Sequence, residues 1–412
     1  MTYHHSTVWL SESQLEPHVD TFSHYLTERR YTPQNINRYI AGIAHFAHWL
    51  TQSQLPIHQI NEKVALKFLD EHLPTCNCRR QIVRDRKTIR AAINHLIFVL
   101  RANAVLAKPP VGTTSVDKEL RDFDGYMNHV RGLASRTCSH HIRVVERLLI
   151  SKFAEHPVVI SAFTPDDIRR FVIKQSDLCG IPASIGATIS ALRSYFRYRT
   201  TRGDLVHHLI GVTSYPANWQ LASLPKALTH HEIDRLIAAL DHDGATARRT
   251  AAIVHCALDL GLRSGEVANL GLDDINWRNA TITLRKTKGR REDVMPLPAT
   301  TGRAIADYLK FERPQTSNRA VFVRNIAPRD QPIGPHLIRK VIRQAYARAG
   351  LPYTQAHLLR HTMASRLLER GSSLKEVADV LRHRSLNTTL IYAKLDSRNL
   401  LAVALPWPGS AS

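Results

Sequence analysis

Acidic side chains are scarce in this chain. Its 35 Asp and Glu stand against 56 Lys and Arg, a formal net charge of +21 and an isoelectric point near 10.1. An excess of this size makes a positive field that holds polyanions, and nucleic acid is the commonest of them. Long hydrophobic runs are absent: nothing approaches the ~18 uninterrupted apolar residues of a membrane span. No basic amphipathic end segment marks a membrane-surface protein either. The first residues, Met1-Thr-Tyr-His-His-Ser-Thr-Val-Trp-Leu10, have neither the basic nor the apolar region of a secretory signal, so a cytoplasmic location is expected. Cysteine is sparse. Cys76, Cys78, Cys138, Cys179 and Cys256 form an odd, scattered set that fits reduced thiols better than a disulfide framework. Cys76-Asn-Cys78 is the one close pair, and further zinc ligands are missing at any standard spacing, so neither a metal nor a cofactor is expected. The histidine pairs His4-His5, His140-His141, His207-His208 and His230-His231 diverge on a helix and cannot chelate one ion together. They are read as solvated or facing a nucleic acid.

What is present is ordinary globular material. The 412 residues are 43% hydrophobic and 22% charged, which excludes wholesale disorder and suggests two or three domains. The helical texture breaks at Lys108-Pro-Pro-Val-Gly-Thr-Thr-Ser115 and again from Gly211 through Pro216 to Pro225, where Pro, Gly and Ser/Thr favour turns. The expected domains are therefore residues 1–115, 116–223 and 224–412. The first two resemble copies with a period of roughly 100 residues. Phe22-x-x-Tyr25-Leu26 recurs as Phe123-x-x-Tyr126-Met127, each expected to open a helix. The stretch 60–68 aligns on 163–171, and Thr88-Ile89 with Leu96 on Thr188-Ile189 with Phe196. Each piece reads as a bundle of about four amphipathic helices.

The third piece starts with a capping box, Thr229-His-His-Glu232. A helix to Leu240 and a second over 248–260 follow, the latter stopped by Gly261, which tolerates a left-handed conformation. The period then shifts to that of strands. Ala280–Leu284 and Asp293–Leu297 flank Lys286-Thr-Lys-Gly-Arg-Arg291, a β-hairpin with glycine at its turn. Helices are expected near 301–311, 335–349, 356–370, 373–381 and 386–394, with a tail helix near 397–405. The fold class is thus mainly α, two helical bundles followed by a mostly helical domain with a small antiparallel sheet.

Basic residues in this piece collect with histidines and one tyrosine. Arg263 sits between two helices. His357 and Arg360, three apart in His357-Leu-Leu-Arg360-His361, share a helix face. His383 follows, then Tyr392, and Lys288 projects from the hairpin turn, with Lys286 its alternative. The set suits metal-free phosphoryl transfer. A phosphodiester attacked in line spreads charge over its non-bridging oxygens, which the guanidinium forks of Arg263 and Arg360 can hold without Mg²⁺. Tyrosine can attack and stay covalently attached, keeping the bond energy for rejoining. Lys288 can protonate the leaving oxygen, and His357 and His383 can orient the phosphate and move protons. Glu266, three after Arg263, is read as fixing that arginine or capping its helix. The helix His336–Arg348 carries a basic stripe suited to phosphate contact.

At these residues the chain resembles the tyrosine recombinases, or phage integrases. The matching motifs are Gly261-Leu-Arg263-Ser-Gly-Glu266, Thr287-Lys288-Gly289, His357-Leu-Leu-Arg360-His361, Leu381-Arg-His383 and Tyr392, and Leu224-Pro-Lys-Ala-Leu-Thr229 is similar to the family's lead into its catalytic domain. The resemblance implies a catalytic domain over 224–412 and core-binding helical bundles that clamp duplex DNA. It implies a 3′-phosphotyrosine intermediate with Tyr392 as nucleophile, and a homo-tetramer on two double-stranded DNA sites, with or without partner recombinases. It implies a C-terminal helix that docks on a neighbouring protomer, for which Ser397 to Leu405 is the candidate. Two features depart from the pattern: Arg382 stands where the family usually has glycine, and the chain has one more bundle than compact members. A mobile-element recombinase is the expectation. A chromosome or plasmid dimer resolvase, a type IB topoisomerase-like enzyme and a non-catalytic DNA-binding regulator are the alternatives.

Overall fold

The computed structural model describes residues 4–78, 83–107, 114–154, 156–179, 182–215, 226–285, 292–383 and 389–395. It divides into two compact units, one of residues 1–106 with 220–412 and the other of residues 107–219. The described residues are mostly helical, and none of their helices is long and apolar enough to cross a membrane.

The first bundle comprises α1 (His4–Ser11), α2 (Val19–Glu28), α3 (Pro33–Gln52), α4 (Glu62–Lys67), which runs into a π-helical turn at Phe68–His72, and α5 (Arg86–Ala102). Its helices start where short polar side chains can take the first free amides. Thr32 accepts from Asn35 N ahead of Pro33, Asn61 from Lys63 N and Val64 N, and Asp85 from Thr88 N. The apolar faces so aligned bury Phe22, Leu26, Phe46, Phe68, Ile89 and Leu96 in one core.

The separate unit holds α6 (Ser115–Gly125), continued by a π-helical turn at Tyr126–Val130, then α7 (Ser135–Phe153), α8 (Pro165–Cys179), α9 (Pro182–Thr201) and α10 (His207–Gly211). Thr114 with Asp117 forms a capping box at the start of α6, and Thr164 pairs in the same way with Asp167. Phe123, Met127, Leu149, Ile168, Leu192 and Phe196 make its core. Within it the Tyr195 hydroxyl donates to Glu119 at 2.8 Å, which Arg199 also binds.

Two expectations need correcting here. His141 is buried rather than solvated, because α7 turns that position inward beside Cys138 and Val145. Phe123 does not open a helix as Phe22 nearly does; it lies nine residues into α6. The paired apolar anchors Phe22 and Phe123, Phe68 and Phe171, and Leu96 and Phe196 are core residues in both bundles, yet they occupy different places along their helices. Phe68 begins a π-helical turn whereas Phe171 lies inside α8.

The rest of the first unit contains α11 (His230–Ala238), α12 (Ala247–Leu258), α13 (Ser264–Ala268), strands β1 (Ile275–Asn276), β2 (Thr281–Leu284) and β3 (Asp293–Pro296), and helices α14 (Ala299–Phe311), α15 (Pro335–Arg348), α16 (His357–Glu369) and α17 (Leu374–Val380), closed by a 3-10 turn at Leu390–Leu395. The capping box of Thr229 and Glu232 forms as the spacing predicts. α12 is apolar around most of its circumference and is buried accordingly, from Ala252 to Leu258 except His255. Asp259 at its end accepts from His255, Thr300 and Thr301, fastening it to α14. The sheet is antiparallel in the order β1-β2-β3, with Ile282 opposite both Ile275 and Met295, so that alternate residues point into the core. β1 goes beyond the predicted hairpin. Residues 286–291 lie outside the described residues, and with them both hairpin lysines. The tail helix near 397–405 lies outside them too, as do residues 386–388 of the helix expected over 386–394. The described remainder of that helix is the 3-10 turn.

Candidate active site

The backbone around Gly261 organises the site. α12 ends at Leu258, and Gly261 takes φ +59, which lets Leu262 N close back onto Cys256 O at 3.1 Å. A Cβ at Gly261 would stand 2.8 Å from Met363 Sδ and 3.1 Å from Leu381 Cδ2, so both the turn and the close packing favour glycine. The chain then enters α13 with Arg263 as its N-cap. Glu266 reaches back to the Arg263 amide at 2.9 Å and to its guanidinium at 2.7 Å. The reading of Glu266 as a clamp on Arg263 agrees with this geometry.

Glu266 has a second cation that the sequence pattern left without a partner. Arg382 adopts φ +54 and turns its side chain inward, donating to Glu266 Oε2 at 2.9 Å, to Val380 O at 3.1 Å and to the Met295 sulfur. Glu266 is 6% exposed. Burial alone would raise the pKa of its carboxyl, but Arg382, the Arg263 amide and the Arg263 guanidinium outweigh it and hold the group below the usual range.

Arg360, in the first turn of α16 and 4% exposed, is pinned by two backbone acceptors, Gly261 O and Leu381 O. Burial, then Arg263 and Arg382 beside it, bring its pKa down to about 9. It remains a cation at neutral pH. His383 follows Arg382, and its Nδ1 pairs with Thr389 Oγ1 at 2.7 Å. Burial and the surrounding arginines lower this ring to about 4, so it is neutral.

Tyr392 sits on the closing 3-10 turn, 1% exposed, in a small core with Ala364, Val377 and Leu381. Its hydroxyl lies 2.6 Å from His361 Nδ1. Burial pushes the phenol up to about 12, against the pull of Arg360 and Arg263. Burial, His357 and Arg360 lower the pKa of His361. With the phenol protonated and the imidazole neutral, Tyr392 donates and His361 accepts. His357 opens α16 one turn before His361.

Of the residues singled out from sequence, the fold therefore brings together Arg263, Arg360, His383 and Tyr392, with His357 on the same helix as Arg360. Lys288 and its alternative Lys286 fall outside the described residues. Sequence reasoning gave no role to His361 or Thr389. The first stood in plain view beside Arg360, and its position one turn from His357 was the available signal. The assembled group holds three arginines around one carboxylate, with a buried tyrosine within reach of their field. That is a site for a phosphate and an oxygen nucleophile.

A family model described as the phage integrase family matches residues 226–398. The chain is 32% identical over 405 residues to the integrase/recombinase y4rA of Sinorhizobium fredii, covering 97% of this chain and 96% of the relative. It is 28% identical over 287 residues to tyrosine recombinase XerC of Thermodesulfovibrio yellowstonii, covering 68% and 93%. Among solved structures it is similar in fold to the site-specific recombinase XerH bound to a palindromic difH substrate, with TM-score 0.54, 18% identity, and coverage of 85% of this chain and 99% of that one.

Proposed function

The chain belongs to the phage integrase family of tyrosine recombinases, which cleave and rejoin DNA through a covalent tyrosine intermediate, and on that premise we propose that Tyr392 is the nucleophile of this member. Its oxygen attacks the phosphorus of one strand, a 3′-phosphotyrosine bond forms, and the 5′ oxygen leaves. Arg263 and Arg360 hold the non-bridging oxygens, where fixed guanidinium forks are most effective in a dry site. His361 takes the Tyr392 proton, while Lys288, or Lys286, gives one to the departing 5′ oxygen. His357 and His383 orient the phosphate. Rejoining is the same sequence reversed, with a 5′ hydroxyl as the attacking group. The observation that carries this reading is the Tyr392 hydroxyl held at 2.6 Å by His361 inside the field of Arg360 and Arg263.

Double-stranded DNA is the partner this chemistry and the +21 charge call for. α15 supports it, since His336, Arg339, Lys340, Arg343 and Arg348 are exposed while Ile338, Val341 and Ile342 are buried. We assign residues 116–223 as a core-binding clamp, 1–115 as an additional related bundle, and 224–412 as the catalytic domain. The working assembly is a tetramer on two sites, serving integration, excision or transposition of a mobile element. The test is trapping on a nicked suicide duplex carrying the element's end sequence, resolved on a denaturing gel. Wild type should form a protein–DNA adduct and Tyr392→Phe none. An adduct in the phenylalanine variant, or tight binding of the duplex without any adduct by wild type, would overturn the assignment.

A further inference from the structure

The first bundle contains a group of side chains that recombination does not use. His45 lies in the middle of α3 and is fully buried. Its ring meets Phe68 edge-on at 5.2 Å and His72 at 5.4 Å, and its nitrogens have no side-chain hydrogen-bond partner. His72 ends the π-helical turn and stacks on Phe68 at 5.3 Å. Its Nε2 is 3.7 Å from Cys78 Sγ. Cys76 completes the group, and one ligand atom from each of His45, His72, Cys76 and Cys78 lies within 4.8 Å of all the others.

Those separations are those of a metal centre before the metal. Zinc with bonds of about 2.3 Å to sulfur and 2.0–2.1 Å to nitrogen spaces tetrahedral N and S ligands about 3.6 Å apart. The His72–Cys78 edge already has nearly that length, and none of the remaining edges is longer than 4.8 Å. Two thiolates and two neutral imidazoles around Zn²⁺ make a complex of zero net charge, which suits a half-buried position. Soft sulfur with imidazole in a tetrahedron also favours zinc over the oxygen-loving divalent ions. A buried imidazole without a side-chain partner is otherwise unexplained in a bundle core.

We propose that His45, His72, Cys76 and Cys78 form a structural Cys₂His₂ zinc site in the N-terminal bundle. Binding releases the two thiol protons to solvent and creates four coordinate bonds, with no change of oxidation state. The ion ties the middle of α3 to the loop that follows the π-helical turn. The expectation that the Cys76-Asn-Cys78 pair lacked partner ligands is thereby revised. The partners lie 4 and 31 residues before Cys76, on two helical elements, outside any local spacing motif.

The full, untagged chain purified under thiol reductant without chelator should carry about one zinc per chain by elemental mass spectrometry. Cys76→Ser/Cys78→Ser should lower that at least tenfold, while Cys138→Ser leaves it unchanged. Stripped wild type titrated with Co²⁺ should develop the visible bands of a tetrahedral thiolate site, lost on adding zinc. This arm stands even if the double variant fails to fold. A folded wild type with less than about a tenth of a zinc per chain and no thiolate bands with cobalt would sink the proposal. Full zinc content in the double serine variant would do the same.

Discussion

Removing the charge of Glu266 should loosen the catalytic cluster. The carboxylate and the Arg382 guanidinium are 2.9 Å apart with side chains 4% and 7% exposed, a gross attraction of about 6 kcal/mol at an effective dielectric of about 20. Desolvation cancels much of this, but breaking a buried pair from one side leaves the other charge stranded, at a cost of about 3–5 kcal/mol. Glu266→Gln keeps the shape, leaves Arg263 its amide partner, and leaves Arg382 facing an amide. We expect a loss of about 3 kcal/mol, or roughly 6–12 °C in the melting temperature of a domain this size. Arg382→Gly breaks the same pair but relieves a non-glycine residue from φ +54, which returns about 1 kcal/mol, so about 2 kcal/mol is the net loss. The double variant should lose no more than Glu266→Gln alone, a coupling of about 2 kcal/mol. Calorimetry and urea titration of the four proteins give the cycle, and the suicide-duplex assay shows whether adduct formation follows. Single losses that add in the double variant to within about 0.5 kcal/mol would refute the view that these two residues stabilise each other.

The other expectations concern single groups. Gly261→Ala should lower stability by about 2–3 kcal/mol, since the new methyl combines a left-handed backbone with the Met363 contact; a melting temperature within about 2 °C of wild type would contradict it. His361→Phe should keep DNA binding while slowing adduct formation about 10- to 100-fold, because the Tyr392 proton loses its acceptor; gel shift and single-turnover cleavage separate the two. The His383 ring has its pKa depressed to about 4 in the fold, against ~6.5 in an unfolded chain. Its contribution is therefore complete above pH ~6.5 and is lost as pH falls from there through 4, so His383→Gln should flatten the acid limb of a stability profile. An acid limb identical to wild type would argue against this ring.

What could be read from sequence was what neighbouring residues decide. The Thr229–Glu232 cap, the stop at Gly261 and the alternation of β2 and β3 are local contests between side chain and backbone, and the fold repeats them. Charge balance and the order of Arg263, Arg360, His383 and Tyr392 were equally legible. Two of the failures involve contacts made far along the chain. Arg382 finds Glu266 across 116 positions, and His45 meets Cys78 only after α3 and the π-helical turn have folded. His141 belongs to a histidine pair of which it is buried and His140 half-buried, a placement set by the packing of α7 rather than by the pair itself. The repeated Phe-x-x-Tyr pattern marks a buried phenylalanine and a partly buried tyrosine in both bundles without fixing where a helix begins.

The two carbonyls that Arg360 holds have a consequence for comparing related genes. Gly261 O and Leu381 O need a donor fork whether or not a phosphate is ever bound. Selection for a soluble, folded product alone would therefore preserve this arginine in a copy that had ceased to cut DNA. Tyr392 is different. Losing its hydroxyl leaves a phenylalanine that fills the same core and costs little stability. In a lineage of decaying copies the tyrosine should drift well before the arginine, so an intact arginine says that the protein still folds, and an intact tyrosine that it is still used.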